Sequence, residues 1–240
     1  SDVRDLVAGD RVFGMVFQPR TGTSADRISV KRSALTRSPS NLDDSAAATV
    51  PLAALTAYQA LHHIAHLHTG QRVLINGASG GVGTFAVQMA KIIGAHVTTV
   101  TSHRNTDWMA ELGADETIDY TETDCCSGDA RYELFFDCYG NRSFAKASRV
   151  LSDKGIYITT IPGPRSYSWS LANSFRGQKS HVVLVRNRMG DLSAIRELIE
   201  SGKLSPMVDT VYSRGQIKEA YEALESKRTK GKIAVKIVDA

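Results

Sequence analysis

A glycine-dense turn at residues 76–83 contains the residues of this sequence best suited to chemistry. It reads Asn-Gly-Ala-Ser-Gly-Gly-Val-Gly. Ala78, Gly80 and Gly83 occupy the three glycine positions of G-x-G-x-x-G, with alanine in the first position. Small residues there permit a tight turn, close approach of the backbone to a pyrophosphate, and close packing of the next helix. The residues predicted to bind phosphate are Ala78, Ser79, Gly80, Gly81, Val82 and Gly83.

The segments on either side of this turn support that prediction. Val73, Leu74 and Ile75 form a short apolar run typical of a strand buried on both faces. After the turn, apolar residues recur at three- and four-residue steps up to Ile93, which indicates a helix. Strand, glycine turn and helix open a dinucleotide-binding βαβ unit, whose helix N-terminus offers N–H groups to phosphates. A plain turn would explain the glycines but not this order of elements.

The residues after the second predicted strand indicate which dinucleotide is bound. NAD-binding units place an Asp or Glu about 20 residues beyond the glycine turn. No acid occurs at residues 96–105, and Ser102 and Arg104 lie at this place instead. Hydroxyl groups and a guanidinium suit a 2′-phosphate, which a carboxylate would repel. We therefore predict NADPH, with Ser102, Arg104 and the later Tyr120 at the phosphate. A solvated Arg104 at a strand end is the alternative.

The middle of the chain predicts an α/β fold with a Rossmann-type, doubly wound parallel sheet. Apolar strand patterns alternate there with helical patterns. Besides the strand before the glycine turn, we predict strands at residues 97–101, 116–119, 132–138, 155–161 and 181–185. Helices are predicted at residues 107–112 and 144–151.

The two ends of the chain predict smaller, β-rich structure. Strand patterns occur at residues 28–30 and 232–238, whereas residues 31–42 look irregular. A helix is predicted to begin at residues 43–45 and to break at Pro51, and a second one to follow at residues 55–68. His62 and His66 lie four residues apart on the latter without the acid of H-E-x-x-H, so we interpret them as a solvated helix face.

Composition and charge exclude several classes of protein. The 240 residues are 42% hydrophobic and 22% charged, as in ordinary globular proteins, and no apolar run approaches the roughly 18 residues of a membrane span. The net charge of +4 comes from scattered basic residues, so we expect no nucleic-acid partner. The three cysteines form no spaced framework, and we therefore expect a reducing compartment, the cytoplasm.

Several segments, in this order along the chain, resemble the medium-chain dehydrogenase/reductase superfamily. Besides the glycine turn they include Gly9-Asp-Arg-Val-Phe-Gly14, Leu112-Gly-Ala-Asp115 and Asp137-Cys-Tyr-Gly140. The resemblance is to the zinc-independent quinone oxidoreductase and enoyl reductase branches. It implies a Rossmann domain at residues 49–190 and a partial β-rich GroES-like domain built from residues 1–48 and 191–240. It also implies a homodimer that pairs the strands at residues 181–185.

The resemblance further implies which residues lie around the nicotinamide. Thr56 would lie near the nicotinamide amide, and Tyr139 and Gly140 would line the ribose side. Thr56 and Tyr58 are the candidate catalytic donors, and a place in the hydrophobic core is the alternative for Tyr58. The other positions implied to line the cofactor site are Thr160, Ile161, Pro162 and Lys232.

The same comparison of motifs predicts no metal site. The four-cysteine lobe of zinc-dependent relatives has no counterpart at residues 15–29. Leu52 and Ala53 stand where the third catalytic zinc ligand of those relatives would lie, and neither binds metal. The adjacent Cys125 and Cys126 have poor spacing for one metal ion or for a mutual disulfide, so we interpret them as loop residues.

Together these features predict an NADPH-dependent oxidoreductase acting on a small molecule with an activated C=C bond: a quinone, an enone or an enoyl thioester. Hydride would pass to the β-carbon, N–H or hydroxyl groups would stabilise charge on the carbonyl oxygen, and a proton would complete the reaction. Family members usually carry a further stretch before the segment at residues 9–14, so we expect a fragment or a reduced catalytic domain. The alternative function is a non-catalytic or partner-dependent NADPH-binding module.

Overall fold

The chain folds into two compact units. The computed structural model describes residues 5–16, 22–161 and 177–238. One unit comprises Thr56–Leu184, and the other comprises Ser1–Leu55 together with Val185–Ala240. The predicted domain boundaries, after residues 48 and 190, stay predictions. In the described ranges no helix has both the length and the apolar character needed to cross a membrane.

Ten strands and six α-helices are present in the described residues. The strands are β1 (Val12–Gly14), β2 (Leu35–Arg37), β3 (Arg72–Asn76), β4 (His96–Thr101), β5 (Glu116–Asp119), β6 (Tyr132–Asp137), β7 (Leu151–Thr159), β8 (Lys179–Val182), β9 (Val208–Ser213) and β10 (Lys232–Lys236). The helices are α1 (Asp44–Tyr58), α2 (Gly81–Ile93), α3 (Thr106–Glu111), α4 (Phe144–Ala147), α5 (Met189–Glu200) and α6 (Ile217–Glu225).

The Thr56–Leu184 unit is built on a six-stranded parallel sheet in the order β5-β4-β3-β6-β7-β8, which confirms the predicted doubly wound fold. The chain leaves β3 toward β4 and β5 on one side and later continues through β6 on the other. This reversal makes the β3–β6 boundary the topological switch point, outside which ligands of open α/β sheets bind. In the strand pairing, Asn76 at the end of β3 lies opposite Val100 of β4 on one side and Asp137 of β6 on the other.

The central strands are buried on both faces, as their continuous apolar runs predicted. Leu74 and Ile75 of β3, and Phe135 and Phe136 of β6, are fully buried. Neighbouring side chains on a strand point to opposite faces, so burial of both members of each pair means that both faces are covered. Both faces of the sheet are therefore covered in its two central strands.

The helix predicted to break at Pro51 is continuous, so that prediction was wrong. α1 runs through Pro51, and Asp43 caps it by accepting a hydrogen bond of 2.7 Å from the N–H of Ala46. Proline removes one backbone hydrogen bond from the helix interior. Burial of Val50 and Leu55, each with no exposed surface, offsets that loss.

The regular helix predicted to carry both His62 and His66 does not form. After Tyr58 the chain makes a π-helix at Gln59–Ile64, and His66 beyond it has a φ of 47°. His66 is exposed, as expected, whereas the His62 ring packs 4.2 Å from that of Tyr58. The four-residue spacing places the two histidines on one face only in an uninterrupted α-helix.

Two further element predictions need correction. The strand predicted at residues 28–30 is absent, and β2 forms instead in the segment that looked irregular, with Phe13 opposite Thr36 in an antiparallel pair. The helix predicted at residues 144–151 is only the short α4, because Leu151 already pairs with Tyr132 as the first residue of β7. In both cases pairing with a distant strand decides the local structure.

The other unit has two small sheets, β1–β2 and the parallel pair β9–β10. α5 packs beside β2, where the Thr36 and Ser193 hydroxyls lie 3.4 Å apart. Asn41 donates a hydrogen bond of 2.8 Å to the Ile199 carbonyl. The β-rich start and the helical tail of the chain thus contact each other within this unit.

Candidate functional site

The predicted cofactor-binding residues of the Thr56–Leu184 unit converge at the carboxyl edge of its sheet. The glycine turn follows β3, Ser102 and Arg104 follow β4, and Tyr120 follows β5. Tyr139 and Gly140 follow β6, and Thr160 and Ile161 follow β7. Because parallel strands present their carboxyl ends at one edge, segments far apart in sequence meet there.

The glycine turn has the geometry of a phosphate cradle. Gly77 has a φ of 76°, and Gly80 is the N-cap residue of α2. A Cβ atom on Gly83 would overlap the Gly77 carbonyl oxygen, so only glycine lets α2 approach β3 this closely. No side chain caps the first turn of α2, and its N–H groups therefore remain donors for an anion. These features fit the pyrophosphate of a dinucleotide.

A chain of hydrogen bonds ties this turn to the end of β4. The Thr101 hydroxyl donates to the Ser79 hydroxyl at 3.0 Å, and the Asn105 amide donates to Thr101 at 3.3 Å. Ser102, which follows Thr101 in the chain, is half-buried. Arg104 is exposed and forms no ion pair within the described residues. A guanidinium without a carboxylate partner remains able to bind a phosphate.

An acid that the sequence analysis missed lies beside this segment. Asp119, the last residue of β5, has a side chain only 12% exposed, with its Oδ2 atom 3.8 Å from Nδ1 of His103. Hydrogen bonds from the N–H and hydroxyl of Thr121 lower the pKa of the Asp119 carboxyl, which stays ionised at neutral pH. Only tertiary pairing of β4 with β5 brings this residue close, since 16 positions separate it from His103.

Asp137, also missed, organises the turn on the other side of the switch point. This carboxylate has no exposed surface. Its Oδ1 atom accepts from the Asn76 amide at 2.7 Å and the Gly140 N–H at 2.8 Å, and its Oδ2 atom accepts from the Arg142 N–H at 2.9 Å. The Tyr157 hydroxyl lies 3.0 Å from Oδ2. The sequence signal that could have identified Asp137 is a charged residue at the end of an apolar strand.

The same carboxylate affects the ionisation of its neighbour. Burial, reinforced by the adjacent Asp137 charge, raises the pKa of the Tyr157 hydroxyl well above its usual value. Tyr157 therefore stays protonated at neutral pH, and its hydroxyl also lies 2.6 Å from the Arg142 carbonyl oxygen. A protonated donor suits the acceptors around it, so the network holds residues 137–142 in one conformation.

The turn held by Asp137 faces the glycine turn and the end of β7. A Cβ atom on Gly77 would lie 2.9 Å from the Tyr139 Cβ, and one on Gly140 would overlap the Ile161 side chain. The Thr160 hydroxyl donates to the Cys138 carbonyl at 3.1 Å. Tyr139 and Ile161 are 47% and 51% exposed, so they present apolar surface at this edge. These contacts fit a ring system lying beside the predicted phosphate site.

Comparison with known proteins agrees with this architecture. A sequence model of the family described as zinc-binding dehydrogenase matches residues 112–235. The trans-enoyl reductase pgmF of Aspergillus terreus is 33% identical over 98% of this chain and 71% of its own length. The bovine mitochondrial NAD(P)H oxidoreductase RTN4IP1 is 29% identical over 99% of this chain and 67% of its own length. The solved quinone oxidoreductase of Coxiella burnetii superposes with a TM-score of 0.90 at 26% identity, covering 99% of this chain and 75% of that one.

The chain belongs to the medium-chain dehydrogenase/reductase superfamily, in its quinone oxidoreductase-like branch. This confirms the family inferred from the sequence motifs. Members of this branch are oxidoreductases that use a nicotinamide cofactor, and the chain is assigned to them at that level.

The remaining site residues predicted from the superfamily lie in different parts of the chain. Thr56, 7% exposed, and the half-buried Tyr58 end α1 at the start of the Thr56–Leu184 unit. Lys232 begins β10 in the other unit, and burial lowers the pKa of its ammonium group. Pro162 lies outside the described residues. The roles of all four residues stay predictions.

Proposed function

We propose that the protein is an NADPH-dependent oxidoreductase that transfers hydride to an activated C=C bond of a quinone, an enone or an enoyl thioester. The observation that carries the proposal is the uncapped α2 N-terminus, set in a glycine cradle at the switch point of the parallel sheet. Two matched proteins are named quinone oxidoreductase and trans-enoyl reductase, and these names denote enzymes that catalyse reactions of this kind.

The chain's own residues bind and orient the cofactor in this proposal. Residues 78–83 hold the pyrophosphate by backbone N–H groups, and the Asp137 network positions Tyr139 and Gly140 beside the ribose and nicotinamide. When bound, the reduced nicotinamide supplies a hydride. Hydroxyl groups such as that of Thr56, or backbone N–H groups, stabilise the charge that develops on the substrate carbonyl oxygen. A side chain such as Tyr58, or water, supplies the proton.

The preference for NADPH over NADH rests on the loop after β4. Arg104 is exposed, has no ion-pair partner in the described parts of the chain, and lies three residues after Thr101, which is bonded to the glycine turn. Tyr120, 55% exposed, lies at the end of the neighbouring strand. A guanidinium there would bind the 2′-phosphate with charge-assisted hydrogen bonds.

Replacing the guanidinium tests this preference. Arg104→Ala is expected to weaken NADPH binding about 10- to 100-fold and to leave NADH binding nearly unchanged, since hydrogen bonds to charged groups contribute about 1.5–3 kcal/mol. Fluorescence titration with both nucleotides measures the two affinities. Arg149→Ala, at an exposed arginine away from this edge, is the matched control. Equal losses for the two nucleotides, or tighter binding of NADH by the wild type, would contradict the assignment.

Turnover distinguishes the enzyme from the alternative, a non-catalytic or partner-dependent NADPH-binding module. The enzyme should oxidise NADPH in the presence of at least one member of a panel of quinones, enones and enoyl thioesters. Absorbance of the reduced nicotinamide follows the reaction. Saturable NADPH binding without turnover anywhere in the panel would favour the binding module.

We also propose that this reaction needs no zinc. Leu52 is apolar and 50% exposed, and Ala53 is buried, so neither position offers a ligand where zinc-dependent relatives have their third catalytic one. Activity should therefore survive dialysis against a strong chelator. Loss of activity that added zinc restores would overturn this part of the proposal.

A reducing compartment, the cytoplasm, is proposed as the site of action. Cys125, Cys126 and Cys138 are all free thiols in the structure. The name of the bovine relative places that protein in mitochondria. Fractionation of cells that express the tagged protein should recover it with the cytosol, and recovery with mitochondria would correct the assignment.

A further inference from the structure

Three potential metal ligands lie together in the loop between β5 and β6. One ligand atom each of Asp124, Cys125 and Cys126 is within 4.8 Å of the other two. Among the described residues this is the only group of three His, Cys, Asp or Glu side chains with such spacing. The proposed nicotinamide chemistry uses none of the three residues.

Hydrogen bonds within the loop bring the three side chains together. Asp124 accepts through its Oδ1 atom from the N–H of Cys126 at 3.2 Å, and its carbonyl accepts from the N–H and hydroxyl of Ser127 at 2.9 and 2.6 Å. This turn folds the chain back, so that a carboxylate and two consecutive thiols lie on one side of the loop. Adjacent cysteines look poorly spaced for one metal ion in the sequence, because spacing along the chain does not show this turn.

The site is buried on its sulfur side and open on its oxygen side. Cys125 and Cys126 are 2% and 5% exposed and pack in a hydrophobic cluster with Tyr132, Phe135 and Tyr157. The Asp124 side chain is 48% exposed. An ion can therefore enter past the carboxylate, and the cluster shields its bonds to sulfur from water.

We propose that Asp124, Cys125 and Cys126 form a binding site for one thiophilic divalent cation of the zinc and cadmium class. Zinc binds thiolate sulfur at about 2.3 Å in tetrahedral geometry, which sets two sulfur ligands about 3.8 Å apart. Because the ligand atoms already lie within 4.8 Å of one another, the two sulfur atoms need to approach each other by at most about 1 Å. Three protein ligands leave the fourth position to water. Each thiol releases its proton to the buffer as its sulfur–metal bond forms, and no oxidation state changes.

Arg142 balances the charge of the occupied site. Two thiolates and one carboxylate carry three negative charges, of which a divalent cation neutralises two. Nη1 of Arg142 lies 3.3 Å from Oδ1 of Asp124, and the arginine side chain is only 18% exposed. This guanidinium supplies the remaining positive charge at the site, which matters because an unbalanced charge is costly to bury.

Metal titration of the purified, reduced and metal-free chain tests the proposal. Cadmium is the probe, because thiolate-to-cadmium charge transfer absorbs in the ultraviolet. One equivalent should saturate the absorption, release protons detected with a pH indicator, and raise the melting temperature. Absence of the charge-transfer band in the wild type would overturn the proposal.

Variants assign the ligands. Cys125→Ser and Cys126→Ser should each weaken cadmium binding by about 100-fold or more, and Asp124→Asn by about 10-fold, in line with the loss of a ligand or of its charge. Cys138→Ser, which removes the third cysteine, should bind as the wild type does. Wild-type affinity in the cysteine variants would show that these residues only fill the core. If either cysteine variant does not fold, Asp124→Asn, at an exposed residue, tests the proposal instead. An unchanged affinity of this variant for cadmium overturns the proposal.

Discussion

Asp137 is the side chain on which the predicted cofactor edge most depends. It is a fully buried carboxylate without a basic side chain bonded to it in the described residues, and it is held by the Asn76 amide, two backbone N–H groups and the Tyr157 hydroxyl. Such a group is stable only while every donor remains in place. It joins the end of β3 to the turn that carries Tyr139 and Gly140.

Asp137→Asn is expected to destabilise the protein by about 2 kcal/mol, because an amide NH₂ would replace one acceptor and face a backbone donor. The same variant should weaken NADPH binding through loss of the turn. Urea unfolding and nucleotide titration measure the two effects. Asp129→Asn, at an exposed loop position, is the control and should be nearly neutral. Unchanged stability in Asp137→Asn would mean that the network does not hold the turn.

Single residues differed in how readily the sequence revealed them. Gly80 and Gly83 were recognisable because their spacing reflects a local requirement of the chain, a turn followed by a helix. Asp137 and Asp119 were not, because their partners lie on other strands and no local pattern records them. Arg104 was inferred from the absence of an acid, and its role at a phosphate stays a prediction.

At the level of elements, the close approach of α2 to β3 determines whether the proposed phosphate cradle forms. Gly83→Ala would push a methyl group against the Gly77 carbonyl, which is backbone and cannot rotate away. We expect a loss of about 1–3 kcal/mol in stability and a larger fractional loss of NADPH affinity. Gly190→Ala in α5, where a Cβ meets no atom within 4 Å, should leave both nearly unchanged. Thermal unfolding measures the stability of the two variants, and nucleotide titration measures their NADPH affinity. Equal stability and equal affinity in both variants would contradict the packing argument.

α2 is also tied to the sheet by an ion pair that depends on pH. Lys91 Nζ lies 2.7 Å from Asp115 Oδ2, which also accepts from the Val97 N–H. Burial acts to raise the pKa of the Asp115 carboxyl, but these two hydrogen bonds outweigh it, and the pKa lies below the usual 3.8. The resulting stabilisation is present above pH 3.8 and is lost as pH falls through the lowered pKa.

Asp115→Asn should therefore cost about 1 kcal/mol at pH 7, a value reduced by the partial exposure of both side chains. The difference from the wild type should shrink as the pH falls below 3.8. Urea unfolding at a series of pH values measures it, with Asp129→Asn as the reference. A difference that grows toward acid pH would reverse the sign of the linkage and refute the assignment.

Elements whose burial pattern is local matched their predictions better than elements stabilised by distant pairing. The central strands β3 and β6 contain continuous apolar runs, and both were recognised from their own residues. β2 and the early start of β7 were missed, because Phe13 and Tyr132, their partners, lie elsewhere in the chain. The continuity of α1 through Pro51 likewise depends on burial that the local sequence does not specify.

At the scale of the whole molecule, β8 is an open edge of the six-stranded sheet. Among the described residues no strand pairs with its outer side. The N–H of Val183 donates to the Thr159 carbonyl at 3.0 Å, so the alternating backbone turns the N–H of Val182 outward. Edge strands with free donors pair readily with a second copy, and we propose that this edge forms the homodimer implied by the family resemblance.

Light scattering should give the mass of a dimer for the wild-type protein. Val182→Pro removes an outward N–H without breaking a bond to β7, and it should yield monomers. Val182→Thr keeps the N–H and should remain dimeric. A monomeric wild type would refute the homodimer, and a dimeric proline variant would show that the copies associate elsewhere.

The sequence alone determined the class of fold, the glycine turn after β3 and the superfamily, because each is expressed in residues that are neighbours along the chain. Strand hydrophobicity, glycine spacing and helix periodicity are local physical requirements, and they can be read one segment at a time. Tertiary structure alone decided the Asp137 network, the position of Asp119 and the clustering of Asp124 with two thiols. These depend on strand register and loop closure, which bring groups together through space without leaving a periodic signal in the sequence.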